Sequence, residues 1–501
     1  MHDRRSWNPS GIGSMKVGGI DYNDDVSENR PSSVSPKTVG ERMRADPLLL
    51  NACDEIRRRV SVYRNEIASV RPPLDSLRMD YETAIRTFEE ERGAALFYPF
   101  LGSGIGHGAY VELSDGSIKY DFISGIGAHV LGHDHPELLE ASLKAAVSDT
   151  VMQGNLQQNR ESSELAGLLL NEADRSGARM AHCFLSSSGA MANENALKII
   201  LQKKHPARRM LAFDRAFAGR TTALLSITDN PGCREGIPVL MDVDRVPFHD
   251  ETDPDGSSAR AEHRLRELLE THPGEYAGMH LELVQGEAGF HPGTRAFFTP
   301  LLDLLKQHHI AIWFDEIQTL GRTTELFAYQ HFGLDEYPDL VTLGKLSPVC
   351  ATLFREEYRP RPGLISQTFT SSTASLFASL HILPYLRNAG FFGADGRIAT
   401  LSRVFQSRLS ELAARHPRLV RGPFGYGMMI ACTVFDGDPA RTRTFLKKLF
   451  EAGVIAFYAG ISPLRVRFLP PFAVLDETDI QVVCDIFEST LLTCEEEASC
   501  S

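Results

Sequence analysis

The chain has 501 residues, enough for two or three domains, and its 43% apolar content is that of a globular protein and excludes a disordered one. Its 52 Lys and Arg residues against 65 Asp and Glu give a net charge of −13 without a basic run, which favours small-molecule partners over nucleic acid. The eight cysteines are scattered without a CxxC pair, a pattern typical of reduced thiols rather than of disulfides or a metal site.

The chain shows neither an apolar signal segment at its start nor an apolar run of membrane-spanning length, so we expect a cytoplasmic protein with no membrane contact. Residues 1–45 are rich in Ser, Gly and Pro without periodicity, which predicts a flexible extension. Residues 46–150 carry two helical patterns and then an alternating segment at 108–125 with a turn at Asp115-Gly116, which predicts a β-hairpin. We expect these helices and the hairpin to contribute to a smaller domain.

The sequence pattern changes in residues 151–390, which we predict to form a large domain. Short apolar runs alternate with helical patterns there; the runs are AHCFL (181–185), RMLAF (209–213), MHLELV (279–284), IAIWF (310–314) and LVTL (340–343). Strands that are apolar on both faces and separated by helices indicate an α/β fold with a mainly parallel sheet flanked by helices. Residues 391–495 return to helices with short strands, which predicts a smaller α+β domain built from both chain ends.

Three of the predicted strands are followed by residues that can bind a ligand or react with it. These residues are expected at the sheet edge where ligands of such folds bind. After 181–185 a glycine-containing segment begins a helix, and its first amides at Gly189 and Ala190, with the hydroxyl of Ser188, suit a phosphate; an ordinary helix cap explains the same pattern. Asp315 follows 310–314, and Lys345 follows 340–343. Taken singly, such an aspartate and such a lysine are more often structural or surface residues.

The combination of these groups is more specific than any one of them. Pyridoxal 5'-phosphate (PLP) requires amides for its phosphate, a carboxylate for its pyridinium nitrogen and an amine for its aldehyde. The sequence places all three at strand ends of one sheet. It therefore predicts a PLP site.

The segments SSGAMANENALK, FDRAFAGRT, ELVQGEAG, WFDEIQTLGRT, TLGK and VRFLPPF stand in the order found in class III (ω-amino acid) aminotransferases, which the chain resembles over residues 95–490. Among these enzymes it resembles lysine ε-aminotransferases, acetylornithine aminotransferases and 4-aminobutyrate aminotransferases most. The resemblance implies PLP fold type I and a homodimer with shared active sites.

The resemblance also implies roles for single residues. Lys345 is the implied Schiff-base lysine and proton shuttle, and Asp315 is the implied partner of the pyridine nitrogen. The other implied cofactor contacts are Ser188, Gly189 and Ala190 at the phosphate, Phe217 stacked on the ring, Gln318 at the ring hydroxyl, and Thr368 at the phosphate of the neighbouring subunit.

For the substrates, the resemblance implies that Arg220 and Arg467 bind the two carboxylates of 2-oxoglutarate or glutamate, and that Glu287 pairs with Arg467 when an ω-amino donor binds. Single charges of this kind are more commonly surface or structural ion-pair residues. The expected activity is transfer of the amino group of lysine, acetylornithine or 4-aminobutyrate to 2-oxoglutarate.

Two alternatives remain open from the sequence. One is an aminomutase or decarboxylase on the same scaffold, which would have no need of the two arginines. The other is a catalytically degenerate homologue, because Met191, Ala218 and the segment 370–375 depart from the family pattern.

Overall fold

A computed structural model describes residues 38–149 and 152–500. Its α-helices are α1 (Val39–Arg44), α2 (Pro47–Arg64), α3 (Asp75–Arg92), α4 (Ser124–Gly127), α5 (Pro136–Ala146), α6 (Arg160–Ala173), α7 (Gly189–Lys204), α8 (Leu224–Ile227), α9 (Pro254–Thr271), α10 (Arg295–Gln307), α11 (Ala328–His331), α12 (Thr373–Asn388), α13 (Arg397–Arg415), α14 (Pro439–Glu451) and α15 (Glu477–Cys500). Its strands are β1 (Gly102–His107), β2 (Tyr110–Leu113), β3 (Ile118–Asp121), β4 (Met152–Gln153), β5 (His182–Ser186), β6 (Arg209–Phe213), β7 (Val243–Val246), β8 (Tyr276–Leu281), β9 (Val284–Gln285), β10 (His291–Pro292), β11 (Ala311–Glu316), β12 (Leu340–Leu343), β13 (Cys350–Phe354), β14 (Ser371–Ser372), β15 (Val420–Tyr426), β16 (Met429–Val434), β17 (Val454–Ile455), β18 (Phe457–Ala459) and β19 (Arg465–Phe468).

The largest sheet has seven strands in the order β5-β13-β12-β11-β8-β6-β7. Each apolar run of the sequence analysis contributes a strand to it, and the strands from β12 to β7 are parallel. Every residue of β8, β11 and β12 is buried, as expected of a parallel sheet covered on both faces. This confirms the predicted α/β fold. The sequence analysis missed β13, which returns antiparallel between β12 and β5 directly after the Lys345 turn.

Helices cover both faces of this sheet. On one face α7 buries Ala196, Leu197 and Ile200 in a cluster with Trp313 and other strand residues. On the other face the aromatic side chains of α10 pack against those of β6 and its neighbours. None of the helices in the described part of the chain is both long enough and apolar enough to cross a membrane.

The two chain ends meet in a smaller α+β region. The predicted hairpin is confirmed, since β2 pairs antiparallel with β3 and the turn contains Gly116 at φ 78°. From the far end of the chain, β17 pairs parallel with β3. A second four-stranded sheet has the order β15-β16-β19-β18.

The domain boundaries of the sequence analysis stay a prediction. Residues 1–37 of the predicted flexible extension lie outside the described residues. The part that follows begins with Thr38, whose side chain caps α1.

Candidate active site

A cavity of about 380 Å³ opens at the carboxyl ends of β11 and β12. The predicted site residues that line it are Gly189, Ala190, Phe217, Arg220, Asp315, Gln318 and Lys345. A larger depression of about 820 Å³, between α3 and α14, contains none of the predicted site residues. The sheet edge has therefore brought together residues that are far apart in the chain.

Lys345 lies in the tight turn between β12 and β13. Its φ of 56° is in the left-handed region, which a lysine rarely adopts, and this fixes the direction in which the side chain leaves the backbone. Burial lowers the pKa of its amine; Arg467 also lowers it, while the carboxylate of Glu287 acts in the opposite direction. A lowered pKa increases the fraction of neutral amine, the form that acts as a nucleophile.

Asp315, at the end of β11, is 6% exposed and accepts three hydrogen bonds. Its Oδ2 accepts from Asn193 Nδ2 at 2.7 Å and from His280 Nε2 at 3.1 Å, and its Oδ1 accepts from the backbone N–H of Ile317 at 3.0 Å. A carboxylate with this many fixed donors has one orientation at the cavity wall.

The sequence analysis missed two of these donors, although both left a signal. Asn193 stands at helical spacing from Ala196, Leu197 and Ile200, so it is a polar residue on the buried face of α7. His280 is a titratable residue inside the otherwise apolar start of a predicted buried strand.

The start of α7 forms another wall of the cavity. Ser188 is the N-cap and its hydroxyl accepts from Met191 N at 3.3 Å, while the first amides of the helix have no acceptor within it. Gly189 packs closely against Ile317, because a Cβ at this position would lie 2.9 Å from Ile317 Cδ1 and the isoleucine would have to shift. The structure thus combines the two interpretations of this segment: Ser188 caps the helix, and Gly189 and Ala190 face the cavity.

Phe217 lines the cavity and is held through its backbone. Its N–H donates to Glu282 Oε1 at 2.9 Å, and Glu282 Oε2 accepts from Gly286 N at 3.0 Å. Burial, together with the charge of Asp315, raises the pKa of Glu282 to about 8. The sequence analysis did not single out Glu282.

Arg467 and Glu287 form a bidentate ion pair beside Lys345. The guanidinium Nη1 lies 2.7 Å from Glu287 Oε1 and Nη2 lies 3.2 Å from Oε2. Gln318 Nε2 donates to the same Oε1 at 3.3 Å. Burial alone would raise the pKa of Glu287, but Arg467 and Lys345 outweigh it, so the pKa is lowered and the carboxylate is ionised at neutral pH.

Arg220 and Thr368 differ from the buried residues. Arg220 is exposed and lines the cavity, and it makes no hydrogen bond or ion pair with any residue that the structure describes. Thr368 is exposed and lies outside the cavity, in a segment whose neighbours Gln367 and Thr370 are hydrogen bonded to residues 153–155. The single chain therefore brings Arg220 to the site but not Thr368.

Residues 103–491 match the family model for class III aminotransferases. The protein belongs to the class III aminotransferases. Among curated relatives, acetylornithine aminotransferase 1 of Bradyrhizobium diazoefficiens is 31% identical to this aminotransferase over 392 residues, which cover 75% of this chain and 88% of the relative. The acetylornithine aminotransferase of Caldanaerobacter subterraneus is 28% identical over 399 residues, 77% of this chain and 93% of the relative.

A solved structure extends this comparison to the fold. The lysine aminotransferase of M. tuberculosis superposes with a TM-score of 0.72 at 24% sequence identity, covering 82% of this aminotransferase and 99% of that chain. At this identity the likeness concerns the fold, and it agrees with PLP fold type I.

The cofactor of the aminotransferase is PLP. The residues around the cavity fit this molecule chemically, because an amine, a fixed carboxylate and the amide-rich start of a helix line one space. Asn193 Oδ1, on the same wall, is buried without a hydrogen-bond partner among the described residues. The volume of about 380 Å³ lies within the range of small-ligand sites.

Proposed function

We propose that this aminotransferase transfers the amino group of an ω-amino donor to 2-oxoglutarate and so forms glutamate. The observation that carries the proposal is the charge arrangement of the cavity. Arg220 lines the cavity that contains Lys345 and has no hydrogen-bond or ion-pair partner among the described residues, while Arg467, paired with Glu287, contacts the lining residue Gln318. Two guanidinium groups are suited to a dicarboxylate, since each offers a planar fork for one carboxylate.

When bound, PLP supplies a carbonyl carbon for the amines and a ring that withdraws electrons from the reacting carbon. Lys345 holds the cofactor through its amine, and its Nζ moves the proton to and from the substrate carbon. Asp315 keeps a proton on the pyridine nitrogen. Phe217 would pack on the ring, and Gln318 would donate to the ring hydroxyl.

The phosphate belongs to the start of α7, where Ser188 caps the helix and Gly189 and Ala190 offer backbone amides. In a homodimer with shared active sites, Thr368 of one subunit adds a hydroxyl to the phosphate bound by the other. Its exposure and its position outside the cavity of its own chain support this role.

The Glu287–Arg467 pair lets one cavity accept two kinds of substrate. While an ω-amino donor is bound, Glu287 neutralises Arg467. When 2-oxoglutarate binds, its carboxylate replaces Glu287 at Arg467, and its second carboxylate reaches Arg220. Glu287 is partly exposed, with 29% of its side-chain surface accessible, so it has room to move away. The Arg467 side chain is only 1% accessible and is held in place by its surroundings.

The donor is of the lysine, acetylornithine or 4-aminobutyrate type. Acetylornithine is the first to test, because the two curated relatives described above carry its name. Lysine is the second, from the name of the M. tuberculosis structure.

The test follows the visible absorption of the PLP-loaded protein as acetylornithine, lysine and 4-aminobutyrate are added separately. With the true donor, the long-wavelength absorption of the bound cofactor disappears, and 2-oxoglutarate restores it with formation of glutamate. The variant Lys345→Ala shows neither change.

Two results would contradict the proposal. If none of the three donors changes the spectrum, the donor class is wrong. If one of them is converted in many turnovers per active site without 2-oxoglutarate, the protein catalyses an isomerisation or a decarboxylation and not this transfer.

A further inference from the structure

His280 is a buried polar side chain that the proposed function does not use. It is the residue before the last in β8, is 0% exposed, and stands in register with Trp313 of the neighbouring strand β11. Residues in register on adjacent strands share a face, and so do residues two apart on one strand, so His280 and Asp315 lie on the same face of the sheet. The imidazole meets the Trp313 ring edge-on, with centroids 4.7 Å apart.

The imidazole has one hydrogen-bond partner. His280 Nε2 lies 3.1 Å from Asp315 Oδ2, while Nδ1 has no partner among the described residues. A carboxylate oxygen accepts hydrogen bonds, so we assign Nε2 as the donor in this contact. A polar group buried among apolar side chains is costly unless it is hydrogen bonded. The contact with Asp315 is therefore what offsets the burial of His280.

The two oxygens of Asp315 are unequally occupied. Within the part of the chain that the structure describes, Oδ2 accepts from both His280 and Asn193, whereas Oδ1 accepts only from the backbone N–H of Ile317. Each carboxylate oxygen has about two acceptor positions, so Oδ2 is filled and Oδ1 keeps one for a donor from the cavity.

We propose that His280 is a positioning residue of this aminotransferase. Its imidazole donates Nε2–H to Asp315 Oδ2 and thereby orients the carboxylate towards a hydrogen-bond donor in the cavity. The inference rests on the proposed pairing of Asp315 with the pyridine nitrogen of the cofactor. Loss of the His280 imidazole leaves Asn193 as the remaining hydrogen-bond donor to Asp315 Oδ2 among the described residues. The carboxylate is then held by Asn193 and the Ile317 N–H without the third donor, so it is less firmly oriented and holds its cavity partner less well.

The test compares His280→Met, which removes the donor, with His280→Gln, whose amide nitrogen reaches the place of Nε2. The equilibrium affinity for PLP is measured by titration in the wild-type and Asp315→Asn backgrounds, together with kcat and KM for the donor. We expect His280→Met to weaken PLP binding by roughly tenfold or more, the usual effect of losing a hydrogen bond to a charged group. We expect kcat to fall with KM little changed, and His280→Gln to restore most of both.

A matched control separates this role from simple packing. His249 is also buried, at 5% exposure, but its Nδ1 contacts the backbone oxygen of Pro292 away from the cavity. We expect His249→Met to leave PLP affinity and kcat unchanged. If His280→Met does not fold, His280→Asn takes its place, because the Asn amide is too short to reach Asp315; weaker PLP binding by the Asn variant than by the Gln variant then supports the proposal.

The double variant decides the mechanism. If His280 acts through Asp315, His280→Met has little further effect on PLP affinity in the Asp315→Asn background. An equal loss in both backgrounds, or no loss in the wild-type background, overturns the inference. A protein that binds PLP and shows this coupling but uses none of the three donors refutes the donor assignment and leaves the inference standing. If Asp315→Asn binds PLP as tightly as the wild type, the assignment of Asp315 itself is wrong.

Discussion

Asp315 and Arg220 line the same cavity, but the chain holds them very differently. Asp315 belongs to the floor of the cavity, which we define as Asp315 and Asn193; its carboxylate accepts three hydrogen bonds, one of them from His280 behind the floor, and Asp315 is 6% exposed. Arg220 lies at the rim of the cavity; it is exposed and has no hydrogen-bond or ion-pair partner in residues 38–149 or 152–500.

The difference reflects the division of work that we propose. A cofactor stays in place, so the residues that bind it are best fixed before it arrives. Substrates come and go, so the groups that recognise them are accessible and complete their contacts only when the substrate is bound. The Glu287–Arg467 pair lies between these extremes, with a fixed arginine and a partly exposed glutamate.

The largest expected effect is that of Lys345→Ala, which removes the amine beside the floor. We expect turnover to fall by at least about 10³-fold, because both the covalent attachment and the proton transfer depend on this group. The measurement is the rate of glutamate formation from 2-oxoglutarate at saturating donor. Lys203→Ala, at an exposed position of α7, is the control; equal rates in the two variants would contradict the assignment.

The next effect concerns the Glu287–Arg467 ion pair. Arg467→Ala leaves the ionised Glu287 without its main partner, and we expect a loss of about 2–4 kcal/mol in the free energy of unfolding. Urea unfolding measures it. In Glu287→Gln the arginine keeps a neutral partner, so the loss should be smaller. A loss below about 1 kcal/mol in Arg467→Ala would mean that water replaces the pair at little cost.

At the rim, Arg220→Gln tests recognition without disturbing stability. We expect the KM for 2-oxoglutarate to rise by about 10- to 100-fold, as for the loss of one charge-assisted contact, while PLP affinity and the unfolding free energy stay unchanged. Steady-state kinetics with varied 2-oxoglutarate provide the value. Arg418→Gln is the matched control, since Arg418 is also exposed and lies outside the cavity. An unchanged KM would remove Arg220 from the acceptor site.

An effect of a different kind is a pH dependence of stability caused by Glu282. Its pKa is raised to about 8 in the folded chain, from an ordinary value of 4.5, so the folded state keeps a proton that the unfolded state has lost. Stability contributed by this group therefore falls as pH rises from about 4.5 towards about 8, by at most about 1.4 kcal/mol per pH unit. We expect Glu282→Gln to remove this slope in the protein without added PLP.

Thermal or urea unfolding across pH 5 to 8, read as the difference between wild type and variant, measures the slope. The exposed Glu270→Gln on α9 is the control. If the two variants show the same pH dependence, Glu282 is ionised in the folded protein.

Much of the cavity lining could be predicted from the sequence. Buried strands leave apolar runs, and the residues that follow them must lie at one edge of a parallel sheet, so Asp315, Lys345 and the start of α7 could be placed together without coordinates. The hydrogen-bond partners of Asp315 could not, because Asn193 and His280 meet it through helix–sheet packing and strand register. Neither is encoded by local pattern alone.

The position of β13 in the sheet, after Lys345, could not be predicted from the sequence either. The run at 350–354 has the composition of a buried strand, but only the three-dimensional structure shows that it inserts antiparallel between β12 and β5. The exposure of Arg220 at the rim, and of Thr368 outside the cavity, depends on the conformation of the loops that carry them, which composition does not determine.

The central claim is that Lys345 holds the cofactor in the cavity beside Asp315. Borohydride reduction of the PLP-loaded protein, followed by peptide mapping with mass spectrometry, tests it most directly, because reduction makes the attachment permanent. We predict that the cofactor mass appears on the peptide that contains Lys345 and is absent from Lys345→Ala treated in the same way. Attachment to a different lysine in the wild-type protein would contradict the account.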